Sequence, residues 1–127
     1  MPYSFEDAVD TIMSRHPEYA REAYEFMRRA LDESVRRFEK GPQDPHLSAE
    51  ELYIGFCAYA LDEFGPLAAA VIEHWGINSS SDVGAIVYNL IEVGIFGRQE
   101  GDHISQFDDL CPIQVLLDAP YEADFAI

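Results

Sequence analysis

Apolar residues recur at three-four spacing over five stretches of this chain, and each stretch has a start or stop signal where the spacing breaks. Ser4, with Asp7 three residues on, opens the first, in which Phe5, Ala8, Val9, Ile12 and Met13 share a face, predicting a helix from about Phe5 to Ser14. His16-Pro17 ends it, because a residue before proline avoids the α region. The second and longest helix is predicted over about Glu18 to Glu39, with Ala23, Tyr24, Met27, Ala30, Leu31, Ser34 and Phe38 in a broad stripe. Acid-before-base pairs at i,i+4 (Glu25 with Arg29, Asp32 with Arg36, Glu33 with Arg37) predict a solvated, ion-paired outer face. The run KGPQDPHL, Lys40 to Leu47, must be a loop.

Ser48 and Glu51 then form a capping-box pair at the head of a third helix. Gly65-Pro66 breaks it and starts a fourth, LAAAVIEHW, which is apolar nearly all round and is expected to be the most buried. Gly76 closes that helix. Ser81 or Asp82 caps a fifth, with Val83, Ile86, Val87, Leu90 and Ile91 facing inward and Asp82, Gly84, Ala85, Tyr88, Asn89 and Glu92 outward. Beyond Gly94, Ile95–Arg98 and His103–Phe107 alternate around Glu100-Gly101 and predict two short strands. The expected class is mainly α with a small C-terminal β-hairpin (α+β). Its centre is a winged-helix-like core over 47–107, preceded by two extra N-terminal helices within 1–40. A tail over 108–127 is expected to dock through Ile113 to Leu117 as a strand or helical turn and to end in a free peptide. All of this fits a single domain over 1–127.

Composition keeps that picture and charge changes its use. With 48% hydrophobic residues the chain can close a core without staples, and the two cysteines, Cys57 and Cys111, form no CxxC and read as reduced thiols. The longest apolar run, Leu67 to Ile72, is too short for a membrane span, and MPYSFEDAVD has no leader pattern, so a cytoplasmic protein is expected. The net charge is −16, and from Asp44 onward Arg98 stands alone against fifteen acids. Such a field repels phosphate backbones. The predicted recognition helix carries no cation, and Asn89 alone does not read a duplex, so nucleic-acid association by a winged helix is the weaker alternative.

The runs AYEFMRRAL (Ala23 to Leu31), HLSAEEL (His46 to Leu52), YALDEFGPLAAAVIEHWGI (Tyr59 to Ile77) and SDVGAIVYNLIEVGIF (Ser81 to Phe96) carry a resemblance. Together they resemble an uncharacterised bacterial conserved-hypothetical family of the planctomycete and verrucomicrobial type, over about Phe5 to Phe107. One departure is Gln106-Phe107, where Asp-Phe is expected. The resemblance implies no activity, cofactor or catalytic residue.

Chemistry has few footholds. His16, His46, His74 and His103 are isolated in sequence, and no nucleophile elbow or phosphate loop is present. An enzyme or metal site would have to assemble in space from dispersed residues such as His46, His103 and Asp102. The reading is therefore a non-enzymatic acidic module, with no cofactor, metal or catalytic residue assigned, that contacts a protein partner of basic character. Its candidate surface is Arg28, Arg29, Tyr88, Asn89, Tyr121 and Phe125; homo-oligomerisation stays open and no membrane is involved.

Overall fold

The capping signals place the helices close to where the spacing puts them. The computed structural model describes residues 4–121. Helix α1 (Phe5–Arg15) begins under Ser4, whose Oγ accepts from the Asp7 amide at 3.0 Å. Helix α2 spans Arg21–Arg37, three residues later than the stripe suggests. The intervening Pro17 to Ala20 turn is tied elsewhere: the Ala20 amide donates to the Trp75 carbonyl at 3.0 Å, and the Tyr19 hydroxyl to Asp82 at 2.6 Å. Helix α3 (Ala49–Phe64) has the full capping box, with Glu51 N to Ser48 Oγ at 3.0 Å and Ser48 N to Glu51 Oε1 at 2.9 Å. A 3₁₀ turn over Gly65–Leu67 leads to α4 (Ala68–His74). Helix α5 (Ser80–Glu92) is capped by Ser79, not by Ser81 or Asp82, since the Ser79 side chain receives the Asp82 amide. Helix α6 (Ile113–Asp118) is the docked tail, with Ile113 and Leu117 buried.

The expected winged helix is absent. Among the described residues there is no strand, and the Ile95 to Phe107 segment is an irregular loop ending in a 3₁₀ turn, Ile104–Phe107. A strand needs a partner's backbone, and this segment spends its polar groups locally. The Ile95 amide reaches back to the Leu90 carbonyl, and the Gln99 amide donates to Asp102 Oδ2 at 2.9 Å. The Gln106 side chain receives the His103 amide at 3.0 Å. Side chains took the hydrogen bonds a hairpin ladder would have used.

Packing radiates from the antiparallel pair α2 and α3. Gly55 lies so close to α2 that a Cβ there would sit 2.0 Å from Ser34 Oγ. Around one end of this crossing Phe26 gathers Phe56, Phe64 and Trp75, with ring centroids 5.4, 5.4 and 5.3 Å away. Helix α4, expected to be the most buried, lies toward the outside: only its Ala68 and Ile72 are buried, and neighbouring Leu67 is 67% exposed. The α2 arginines also depart from the i,i+4 scheme. Arg36 pairs with Glu33 and Arg37 crosses to Asp62 on α3, while Arg29 lies over the Phe26 ring.

By length and composition the helical run Ala49–His74 could cross a membrane, with mean hydropathy 1.3 over its most apolar window. Its backbone breaks at Gly65, where φ is 55°, and Tyr53, Phe56, Cys57 and Ala60 are buried within the protein, although only 28% of the most apolar stretch is buried.

The Ser34 hydroxyl is fully buried and has no hydrogen-bond partner among the described residues. Two opposite outcomes follow at one contact. Gly55→Ala should lower stability by about 1–3 kcal/mol through overpacking. Ser34→Ala, which removes an unsatisfied polar group, should be neutral or stabilising. Denaturant midpoints read both, and a loss above about 1 kcal/mol for Ser34→Ala would mean that the hydroxyl has a partner.

Candidate functional site

Between α2, the first turn of α3, α5 and two loops, a hollow of ≈ 560 Å³ opens. Its floor is apolar: Leu31 and Val35 from α2, Leu52 from α3, Val87 and Ile91 from α5, and Phe96. Two loops build the mouth. The first, before α3, is fixed by the capping box and by Lys40 Nζ, which sits 3.2 Å from Glu51 Oε1. The Ser48 amide, and next to it Lys40, hold the Glu51 carboxyl below its ordinary range.

The second loop is pinned by Phe107. Its ring packs on α5 at Gly84, where a Cβ would lie 2.6 Å from Phe107 Cβ and 2.7 Å from Cγ. Asp102 orders the rest: Oδ2 accepts the Gln99 amide, and its carbonyl receives Arg98 Nε at 3.0 Å. Asp102 Oδ1 stands 3.4 Å from His46 Nε2 and so joins the two loops. Tyr88 completes the mouth. Burial pushes its phenol pKa up, with the Asp102 charge adding and the Arg98 charge opposing.

Of the six residues expected to form a partner surface, Tyr88 alone lines this hollow. The Arg28 guanidinium lies 4.7 Å from the Phe5 ring centroid, joining α2 to α1, and Arg29 lies 6.0 Å from that of Phe26. Asn89 points inward and donates to the Tyr24 hydroxyl at 3.0 Å. Tyr121 is half-exposed beside Gly65, and Phe125 lies outside the described residues. Gly84, expected on an outer face, is buried beneath Phe107.

The histidines disperse. His46 meets Asp102, His16 is 3.8 Å from Glu92, and His74 ends α4 in an exposed position. His103 heads the Ile104–Phe107 turn. Among the described residues no three His, Cys, Asp or Glu side chains gather as a metal-ligand set. The two cysteines differ sharply: Cys57 is buried and Cys111 exposed. Burial above all pushes the Cys57 thiol up to about 12. The Cys111 carbonyl accepts the Tyr53 hydroxyl at 2.5 Å, tying the tail to α3.

The pocket itself went unread in the sequence. Its one available signal was Gly84, which a helical wheel assigns to the outside, yet whose missing side chain makes room for a ring. Comparison with known proteins found no matching family model, no matching curated protein and no matching solved structure.

Gly84→Ala should force Phe107 from its seat, costing about 1–3 kcal/mol, with faster amide exchange through 96–107 as the specific mark. Unchanged exchange there would show that the loop is held by other contacts. A thiol reagent near neutral pH should label Cys111 in the folded protein and leave Cys57 unreacted until denaturant is added, because the Cys57 thiolate is scarce and shielded. Mass mapping of the labelled residue decides it.

Proposed function

We propose that the protein is a non-enzymatic binding module whose recognition element is the hollow between α2, α3, α5 and the Phe96–Phe107 loop. One observation carries the reading. An otherwise closely packed core leaves ≈ 560 Å³ open beside Leu31, Val35, Ile91 and Phe96, none of them fully buried. Protein interiors ordinarily close such space, since every uncovered apolar group forfeits hydrophobic and dispersion free energy. A hollow of this size, apolar below and ringed by a few polar groups, is the usual form of a small-molecule site, for which volumes run to roughly 300–1,000 Å³.

Binding fits the polar groups better than turnover does. His46 and Asp102 would resemble a base with its orienting carboxylate, but the hydroxyl of Ser48, which also lines the mouth, caps α3. Asp102 is committed to ordering its own loop. The excess of acids supports a second proposal, a protein partner of basic character drawn by the −16 charge. Crosslinks formed in cells should then fall on acids beyond Asp44, and a map without them removes that reading.

The pocket is tested by filling it. Ala49, half-buried at the first position of α3 and packed at the edge of the core, lines the mouth, and Ala49→Trp would plug the hollow without replacing any fully buried residue. An environment-sensitive apolar dye should bind the wild type and lose roughly tenfold or more in affinity with the variant, its helical circular dichroism unchanged. Equal dye binding by the two proteins would rule the pocket out.

A further inference from the structure

We infer that the ligand of this pocket is an amphiphile with a single anionic head, a carboxylate above an apolar tail; the inference rests on the reading of the hollow as a binding site. It comes from an inventory of the cations. Arg15 pairs with Glu92, Arg21 with Asp10 and Arg37 with Asp62, each at 2.7 Å, while Arg36 pairs with Glu33 at 2.5 Å and Lys40 with Glu51 at 3.2 Å. Arg28 and Arg29 lie against aromatic rings. Arg98 differs from all seven. Among the described residues it has neither carboxylate nor ring, and its one hydrogen bond uses Nε. That bond, to the Asp102 carbonyl, steers the side chain and leaves the terminal nitrogens of the fork without a partner among the described residues. In a chain with net charge −16, a cation without a carboxylate or ring partner among the described residues, set at the mouth of an apolar hollow, is a specific arrangement.

The rest of the mouth agrees in sign. Tyr88 lines the same opening, and its hydroxyl makes no hydrogen bond among the described residues. The acid there is already engaged, Asp102 Oδ2 by the Gln99 amide and Oδ1 by facing His46. Asp32 lines the α2 side of the same opening and is exposed. On the loop side of the mouth, across from Asp32, what is unspent is therefore donor capacity. A carboxylate offers two acceptor oxygens, which suit the planar guanidinium fork and leave a lone pair for a phenol. Its tail would then run over Leu31, Val35 and Ile91, groups that gain from being covered. An ammonium head would instead face Arg98.

Three probes with one tail separate the possibilities: decanoate, 1-decanol and decyltrimethylammonium, each below its aggregation limit, titrated calorimetrically into the full chain. Decanoate should bind tightest, by roughly tenfold over decanol, the size expected of a charge-assisted pair. Arg98→Gln should bring decanoate down to the affinity of decanol, and Ala49→Trp should abolish both. Equal affinity for decanoate and decanol in the wild type, or tightest binding of the ammonium probe, would overturn the anionic head while leaving the pocket reading in place. Absence of all binding would overturn both.

Discussion

The contact between Ser34 and Gly55 sets the spacing of everything else in this protein. Two long helices approach there until neither position has room for another atom. Helices that cross once must diverge on both sides, and the two divergent gaps receive different treatment. On one side, four aromatic rings from α2, α3 and the end of α4 fill the space. On the other, the gap is walled by α5 and two loops and is left open. The pocket lies beside this close approach, its α2 wall running from Leu31 to Arg36 across Ser34, and a glycine on α3 is what permits the approach.

Much of the helical frame is legible because it is local. Ser4, Ser48 with Glu51, and the breaks at Gly65, Gly76 and Gly94 act over a few residues, so spacing and capping rules find them. The docked tail is legible for a similar reason: Ile113 and Leu117 are four apart and apolar. The α5 cap, which falls on Ser79, is a local miss, but the failures of ion pairing and of burial are non-local. Arg37 chose Asp62 on another helix over Glu33 on its own, which no single-helix rule foresees. The apolar character of LAAAVIEHW suggested the molecular centre, whereas the centre is where α2 and α3 can come closest.

The hairpin expectation failed for a more instructive reason. Glu100-Gly101 and the flanking alternation satisfy the turn signal, but a turn signal does not supply a ladder. Asp102 and Gln106 bond to nearby amides, and Phe107 found a seat at Gly84. Of the residues expected to make contacts, Tyr88 reached the pocket because it lies one turn beyond Gly84 on the same helix. Asn89, one residue on, is rotated toward Tyr24. Arg98 was visible in the sequence as a lone cation, but the apolar hollow beneath it depends on three helices meeting.

The unequal treatment of the two gaps also bears on how the molecule answers compression. Pressure acts on void volume, and unfolding under pressure is favoured by whatever empty space it removes. The Ser34–Gly55 crossing has none to surrender, whereas the hollow leaves ≈ 560 Å³ open. The space this helix pair can give up under pressure therefore lies beside the hollow and not at the aromatic rings. An occupied hollow would even out that difference and make the whole pair behave as one stiff body.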